Sequence, residues 1–103
     1  MADLTQKDWK EKLSEDNNAQ IIDVRTDAEV EEGYIPNAVQ IDIQNPGAFM
    51  EKAKKLTPEK NYYIYCRSGG RSAQACAVLN SLGIKKTYNL IGGFSEWEDE
   101  TKK

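Results

Sequence analysis

Four short runs rich in apolar side chains recur along this chain, and each is followed by a segment with the punctuation of a helix. The runs are Gln20 to Val24, Ala38 to Ile43, Tyr62 to Tyr65 and Thr87 to Leu90. Runs of this length suit buried strands. Tyr62-Tyr63-Ile64-Tyr65 is apolar or aromatic on both faces, which predicts a central position. Between the runs, Thr26-Asp27-Ala28-Glu29 forms a capping box, and the short helix it opens stops at Gly33. Asn45-Pro46 opens a helix to about Leu56, followed by a turn at Thr57 to Lys60. A further helix is predicted from about Arg71 to Leu82, closed by Gly83, and Gly92-Gly93 turns into a last helix holding Phe94 and Trp97. Ahead of the first run, Thr5 caps a helix to about Ser14, with Leu4 stapled on Trp9. One helix followed by repeated strand-helix units predicts an α/β fold, a mostly parallel sheet of four to five strands with helices on both faces. Ligands of such sheets bind beyond the carboxyl ends of the strands.

Length and charge narrow the functional classes. The 103 residues predict one domain, with a core over about 4–97 and a charged end, 98–103, read as a solvated helix end. No repeat, low-complexity tract or linker interrupts it. Acidic and basic residues are interleaved at a net charge of −3, without the basic stripe of a nucleic-acid surface. No apolar run approaches a membrane span, and Met1 to Lys7 lacks the basic and apolar parts of a secretory signal, which predicts a cytoplasmic protein. Histidine is absent, which excludes Cys–His and Ser–His–Asp hydrolases for want of the base. With only Cys66 and Cys76 as thiols, neither a zinc site nor a disulfide-built scaffold is expected, and no cofactor is implied.

The chemistry concentrates at Cys66. It follows the central run and leads into Arg67-Ser68-Gly69-Gly70-Arg71-Ser72, where a helix begins. Backbone N–H groups of a glycine-bearing loop, the positive end of a helix and two arginines all stabilise an anion. Together they lower a thiol's pKa without a histidine and can cradle an oxyanion. Gly69 and Gly70 permit the positive φ that a tight ring of amides requires. Ser68 and Ser72 are candidate hydrogen-bond donors, and Ser72 equally suits a helix cap.

The run Cys66 to Ser72 resembles the active-site loop of rhodanese-like domains. Other marks of that family stand in order: Asp23-Val24-Arg25, Glu29 with Gly33-Tyr34-Ile35-Pro36-Asn37-Ala38, and Leu90-Ile91-Gly92-Gly93 with Trp97. The resemblance spans about Leu4 to Trp97, with Tyr34 and Asn37 departing from the commoner histidine and glycine. It implies the rhodanese-like three-layer sandwich and a double displacement: a sulfane sulfur passes from a donor such as thiosulfate onto Cys66 as a persulfide, then to cyanide or a thiol. The implied partners are a small anionic sulfur donor and a thiophilic acceptor, or proteins that carry the same groups. Arg67 and Arg71 are expected to hold the departing sulfite-like group.

Other residues read more simply. Cys76 shares a helix face with Leu79 among alanines and reads as a small buried thiol; the alternative is a thiol that resolves the persulfide. Asp23 and Arg25, at a strand end near the site, support it by pairing with charged neighbours; the alternative is direct contact with substrate. Glu29 is chiefly a capping residue, and Trp9, Trp97 and the tyrosines are packing aromatics. Two rival functions remain. One is a sulfur-carrier or partner-recruiting module. The other is a cysteine-dependent phosphatase or arsenate reductase, whose loops separate cysteine from arginine by five residues where this chain has four. The shorter ring suits a persulfide sulfur better than a tetrahedral phosphate.

Overall fold

A computed structural model describes residues 1–103. Its elements are β1 (Ala2–Leu4), α1 (Gln6–Ser14), β2 (Ala19–Asp23), α2 (Asp27–Glu31), β3 (Ala38–Gln40), α3 (Pro46–Ala53), β4 (Asn61–Tyr65), α4 (Gly70–Ser81) and β5 (Thr87–Leu90). The five strands form one sheet in the order β1-β5-β4-β2-β3, and every pairing is parallel. β2 is followed outward by β3 on one side and β4 by β5 on the other. The switch in direction therefore falls at β2 and β4, where a crevice opens beyond the strand ends.

The period of two along β4 builds both halves of the core. Tyr62, Ile64 and Cys66 point to one face, where they join Ile22, Val24, Phe49, Ala53, Ala75, Cys76 and Leu79 under α3 and α4. Tyr63 and Tyr65 point to the other, with Trp9, Ile21, Ile35 and Leu90 against α1. Trp9 is fully buried and meets Tyr63 edge-on, with ring centroids 5.7 Å apart. Its indole N–H donates to the Tyr88 carbonyl at 3.1 Å, so burial leaves no polar atom unpaired. Burying a side chain of this size contributes about 1.5–3 kcal/mol or more. Leu4 packs into the same cluster, as the staple requires.

Several boundaries differ from the sequence reading. β1 was not expected: main-chain pairing of Ala2, Asp3 and Leu4 with Tyr88, Asn89 and Leu90 makes it a strand, and such pairing needs no side-chain pattern. β3 ends at Gln40, short of Ile43. α3 ends at Ala53, because Lys55 and Leu56 donate only three residues back, tightening the chain ahead of Pro58. Asn45 starts α3 without a side-chain cap. The expected last helix is a single 3₁₀ turn, Phe94–Glu96, and Trp97 is already extended. The charged end is consequently not helical. It crosses to Tyr34, whose N–H donates to the Lys102 carbonyl at 2.8 Å and whose carbonyl accepts from Lys102 at 2.9 Å. No helix is long and apolar enough to cross a membrane.

Candidate active site

Cys66 leaves the carboxyl end of β4 and is held there from a second loop. The Phe94 N–H donates to the Cys66 carbonyl and the Ser95 N–H to the Arg67 carbonyl, both at 2.9 Å. Gly93, which precedes them, has φ +54, and a Cβ there would lie 2.5 Å from the Cys66 carbonyl oxygen. Only glycine permits this approach. The loop then closes through Gly69, the N-cap of α4, at φ +110 and ψ −16. Gly70, expected to share that conformation, is instead the first residue of the helix and has no positive φ.

This turn aims peptide N–H groups at sulfur. The Gly69 N–H donates to Cys66 Sγ at 3.0 Å, and the Ser72 Oγ lies 3.4 Å from it. Cys66 is only 1% exposed, so the sulfur lies recessed within the loop. Burial pushes its pKa up, but the Ser72 hydroxyl and the N–H groups of Ser72, Gly69 and Ser68 outweigh it. The thiol is held below its ordinary value.

Arg71 and Arg67 take different parts. Arg71 grips Glu29 with both terminal nitrogens, Nη1–Oε1 at 2.8 Å and Nη2–Oε2 at 2.9 Å. Glu29 also accepts from the Thr26 N–H and hydroxyl, completing the capping box. The Arg71 guanidinium, against some burial, pulls the Glu29 carboxyl down to about 2. Glu29 is thus more than a cap: it ties α2 to the cysteine loop. Arg67 is exposed and forms no ion pair; it lines a cavity of about 400 Å³ with Arg25, Glu29, Glu32, Phe94 and Ser95. Ser68 is exposed at the loop's rim.

Asp23 and Arg25 form a buried brace beside it. Arg25 donates to Asp23 from Nε at 2.9 Å and from Nη2 at 2.7 Å, and Nη2 also reaches the Gly33 carbonyl at 2.7 Å. The Tyr65 hydroxyl donates to Asp23 at 2.6 Å and accepts from the Ile35 N–H at 3.0 Å. The guanidinium also lies over the Phe94 ring, 4.3 Å from its centroid. Asp23 and Arg25 are 1% and 3% exposed, so the pair fixes the strand end and the loop beneath Phe94. Cys76 is a free buried thiol whose pKa burial pushes up to about 11, unlike Cys66.

One participant escaped the sequence reading. Asn89 in β5 is 4% exposed and contacts the Ser72 hydroxyl, the Gly69 carbonyl and Asp3. An amide side chain between Tyr88 and Leu90, in a strand read as buried, was the available signal.

A parallel sheet with a thiol recessed among peptide N–H groups at a helix mouth defines a class of α/β cysteine-loop domains. Residues 5–100 match the rhodanese-like domain, and the chain belongs to that family. YtwF of Bacillus subtilis is 46% identical over 93 residues, covering 90% of this chain and 86% of its own. A protein named sulfurtransferase from Allochromatium vinosum is 34% identical over 95 residues, covering 92% and 86%. The crystal structure of a rhodanese-like domain protein from Staphylococcus aureus superposes with a TM-score of 0.82 at 38% identity, covering 97% of this chain and 94% of that one.

Proposed function

We propose that this chain is a sulfurtransferase that carries a sulfane sulfur as a persulfide on Cys66. The supporting observation is the Gly69 N–H on Cys66 Sγ at 3.0 Å, in a loop that lowers the thiol's pKa. The Cys66 thiolate attacks the outer sulfur of a donor such as thiosulfate. The donor's S–S bond breaks, and sulfite leaves with the bonding electron pair. An acceptor, cyanide or a thiolate, then attacks the outer sulfur of the persulfide. Its product is thiocyanate or a new persulfide, and the Cys66 thiolate returns.

Each loop residue has a part in this reading. The N–H groups of Ser68, Gly69 and Ser72 bear the negative charge that sits on sulfur before and after each displacement. A charge-assisted contact of this kind contributes roughly 1.5–3 kcal/mol. Arg67, with no carboxylate partner, meets the anionic donor. Arg71 is committed to Glu29 and braces the loop, adding its charge from behind. Gly70 begins the helix whose positive end faces the sulfur. Asp23 and Arg25 hold the neighbouring strand end.

The test is thiocyanate production from thiosulfate and cyanide. The wild-type chain and Cys76→Ser turn over alike, and Cys66→Ser produces none. Turnover by Cys66→Ser, or hydrolysis of an aryl phosphate by a chain that makes no thiocyanate, would overturn the assignment.

A further inference from the structure

Behind the cysteine loop, a buried amide contends with sulfur for a single proton, and this inference rests on the sulfur-transfer reading. The Ser72 hydroxyl has one hydrogen and faces three acceptors: Cys66 Sγ at 3.4 Å, the Gly69 carbonyl at 3.1 Å, and Asn89 Oδ1, which is the nearest. The orientation of the Asn89 amide follows from its other partners. Its Nδ2 donates to Asp3 Oδ1 at 2.9 Å and to the Gly69 carbonyl at 3.2 Å. Both are acceptors, so the amide cannot reverse without setting oxygen against oxygen. Its own oxygen must therefore face Ser72. If the hydroxyl turned its hydrogen to sulfur, two oxygens would be left in contact with no proton between them.

We propose that Asn89, latched by Asp3, is a positioning residue that draws the Ser72 proton away from Cys66. The Ser72 hydroxyl still lowers the thiol's pKa from 3.4 Å, but by less than it would with its hydrogen turned fully to sulfur, and the loop's peptide N–H groups carry the rest. Releasing the latch leaves only the longer contact to the Gly69 carbonyl, at 3.2 Å, to hold the amide. That carbonyl also accepts from the Ala73 N–H at 3.1 Å and does not depend on Nδ2, so the amide can turn away from it and reverse. Nδ2 then donates to Ser72 Oγ, and the hydroxyl hydrogen is free for sulfur. Asp3 is exposed, in an edge strand joined to β5 through the main chain, so it can be changed without opening the core. The lever thus lies at the surface, while the amide and hydroxyl it governs are buried.

The experiment measures the rate of Cys66 alkylation by iodoacetamide against pH, on the full chain, for Asp3→Ala, Asp3→Asn, and Asp3→Ala with Ser72→Ala. Asp3→Ala frees the amide, and alkylation below the thiol's pKa rises by roughly threefold to tenfold, since one pKa unit is about tenfold in thiolate. Asp3→Asn removes the charge but keeps a carbonyl for Nδ2, so it stays near wild type. Ser72→Ala abolishes the gain of Asp3→Ala. Equal gains in Asp3→Ala and Asp3→Asn would assign the effect to the carboxylate's field and overturn the proposal. So would no gain in Asp3→Ala, or a gain that survives the loss of Ser72. Alkylation does not require sulfur transfer. A chain that shows the latch but makes no thiocyanate refutes the enzyme reading alone, and the converse refutes the latch alone.

Discussion

Gly93→Ala is expected to be among the most damaging single-methyl additions this chain can receive. The added Cβ would stand 2.5 Å from the Cys66 carbonyl oxygen, and 2.7 Å from both the Arg67 carbonyl carbon and oxygen. All three atoms are backbone, so no side chain can swing away. Ordinary contact begins near 3.4 Å, and the nucleophile's own peptide must retreat by most of an ångström. Overpacking of this kind costs about 1–3 kcal/mol. The backbone at φ +54 and ψ −153, outside the left-handed helical region and close to one that essentially only glycine adopts, adds about 1–3 kcal/mol for a residue bearing a Cβ. Each kcal/mol is worth about 4–8 °C of Tm in a chain of this size, so Tm should fall by roughly 8 °C or more. Activity should suffer beyond stability, because a shift near 1 Å at a reacting group costs on the order of a hundredfold. The assay pairs thermal unfolding by circular dichroism with kcat/KM for thiosulfate, measured well below the variant's Tm. Gly92→Ala is the control: it shares a positive φ, +82, but the atoms nearest its Cβ, from 2.6 Å, belong to the flexible Glu96 carboxylate and not to backbone, so its loss should be the smaller. A Gly93→Ala chain with wild-type Tm and kcat/KM would refute the claim that this contact sets the position of Cys66.

Two further outcomes test the braces around the loop. Glu29 has its pKa depressed to about 2, so the stability it contributes is fully present above its unfolded value near 4.5 and is lost as pH falls toward 2. Glu29→Gln keeps the capping geometry but not the charge; it should cost about 1 kcal/mol at pH 7, after discount for solvent screening, and flatten acid unfolding between those values. An unchanged acid limb by circular dichroism would refute this pairing energy. Asp23→Ala strands the Arg25 guanidinium and the Tyr65 hydroxyl in the interior, and should cost about 3–5 kcal/mol in urea unfolding. A loss under about 1 kcal/mol would mean that water reaches the pair.

What could be read from the sequence divides along the range of the forces involved. Thr26 and Glu29 announce their capping box because its partners lie three residues apart. The loop from Cys66 to Ser72 is legible for the same reason: nucleophile, glycines and helix start are contiguous, and the fold only needs to close them on themselves. β2, β4 and β5 were equally plain from their apolar runs. β1 was not, because three edge residues gain strand character from main-chain pairing alone. Lys102 reaching Tyr34 left no local mark either, and charged residues there imitated a frayed helix. The Arg71–Glu29 pair spans 42 residues, and the capping role of Glu29 had already accounted for its charge. Asn89 was passed over because one polar residue in a short strand has many ordinary explanations.

The most direct measurement is intact mass of the chain after exposure to thiosulfate, with the modified peptide then located by fragmentation. One added sulfur on the peptide bearing Cys66, removed by cyanide and absent from Cys66→Ser, is the predicted result. A chain that gains no sulfur, or gains it on Cys76, would contradict the account.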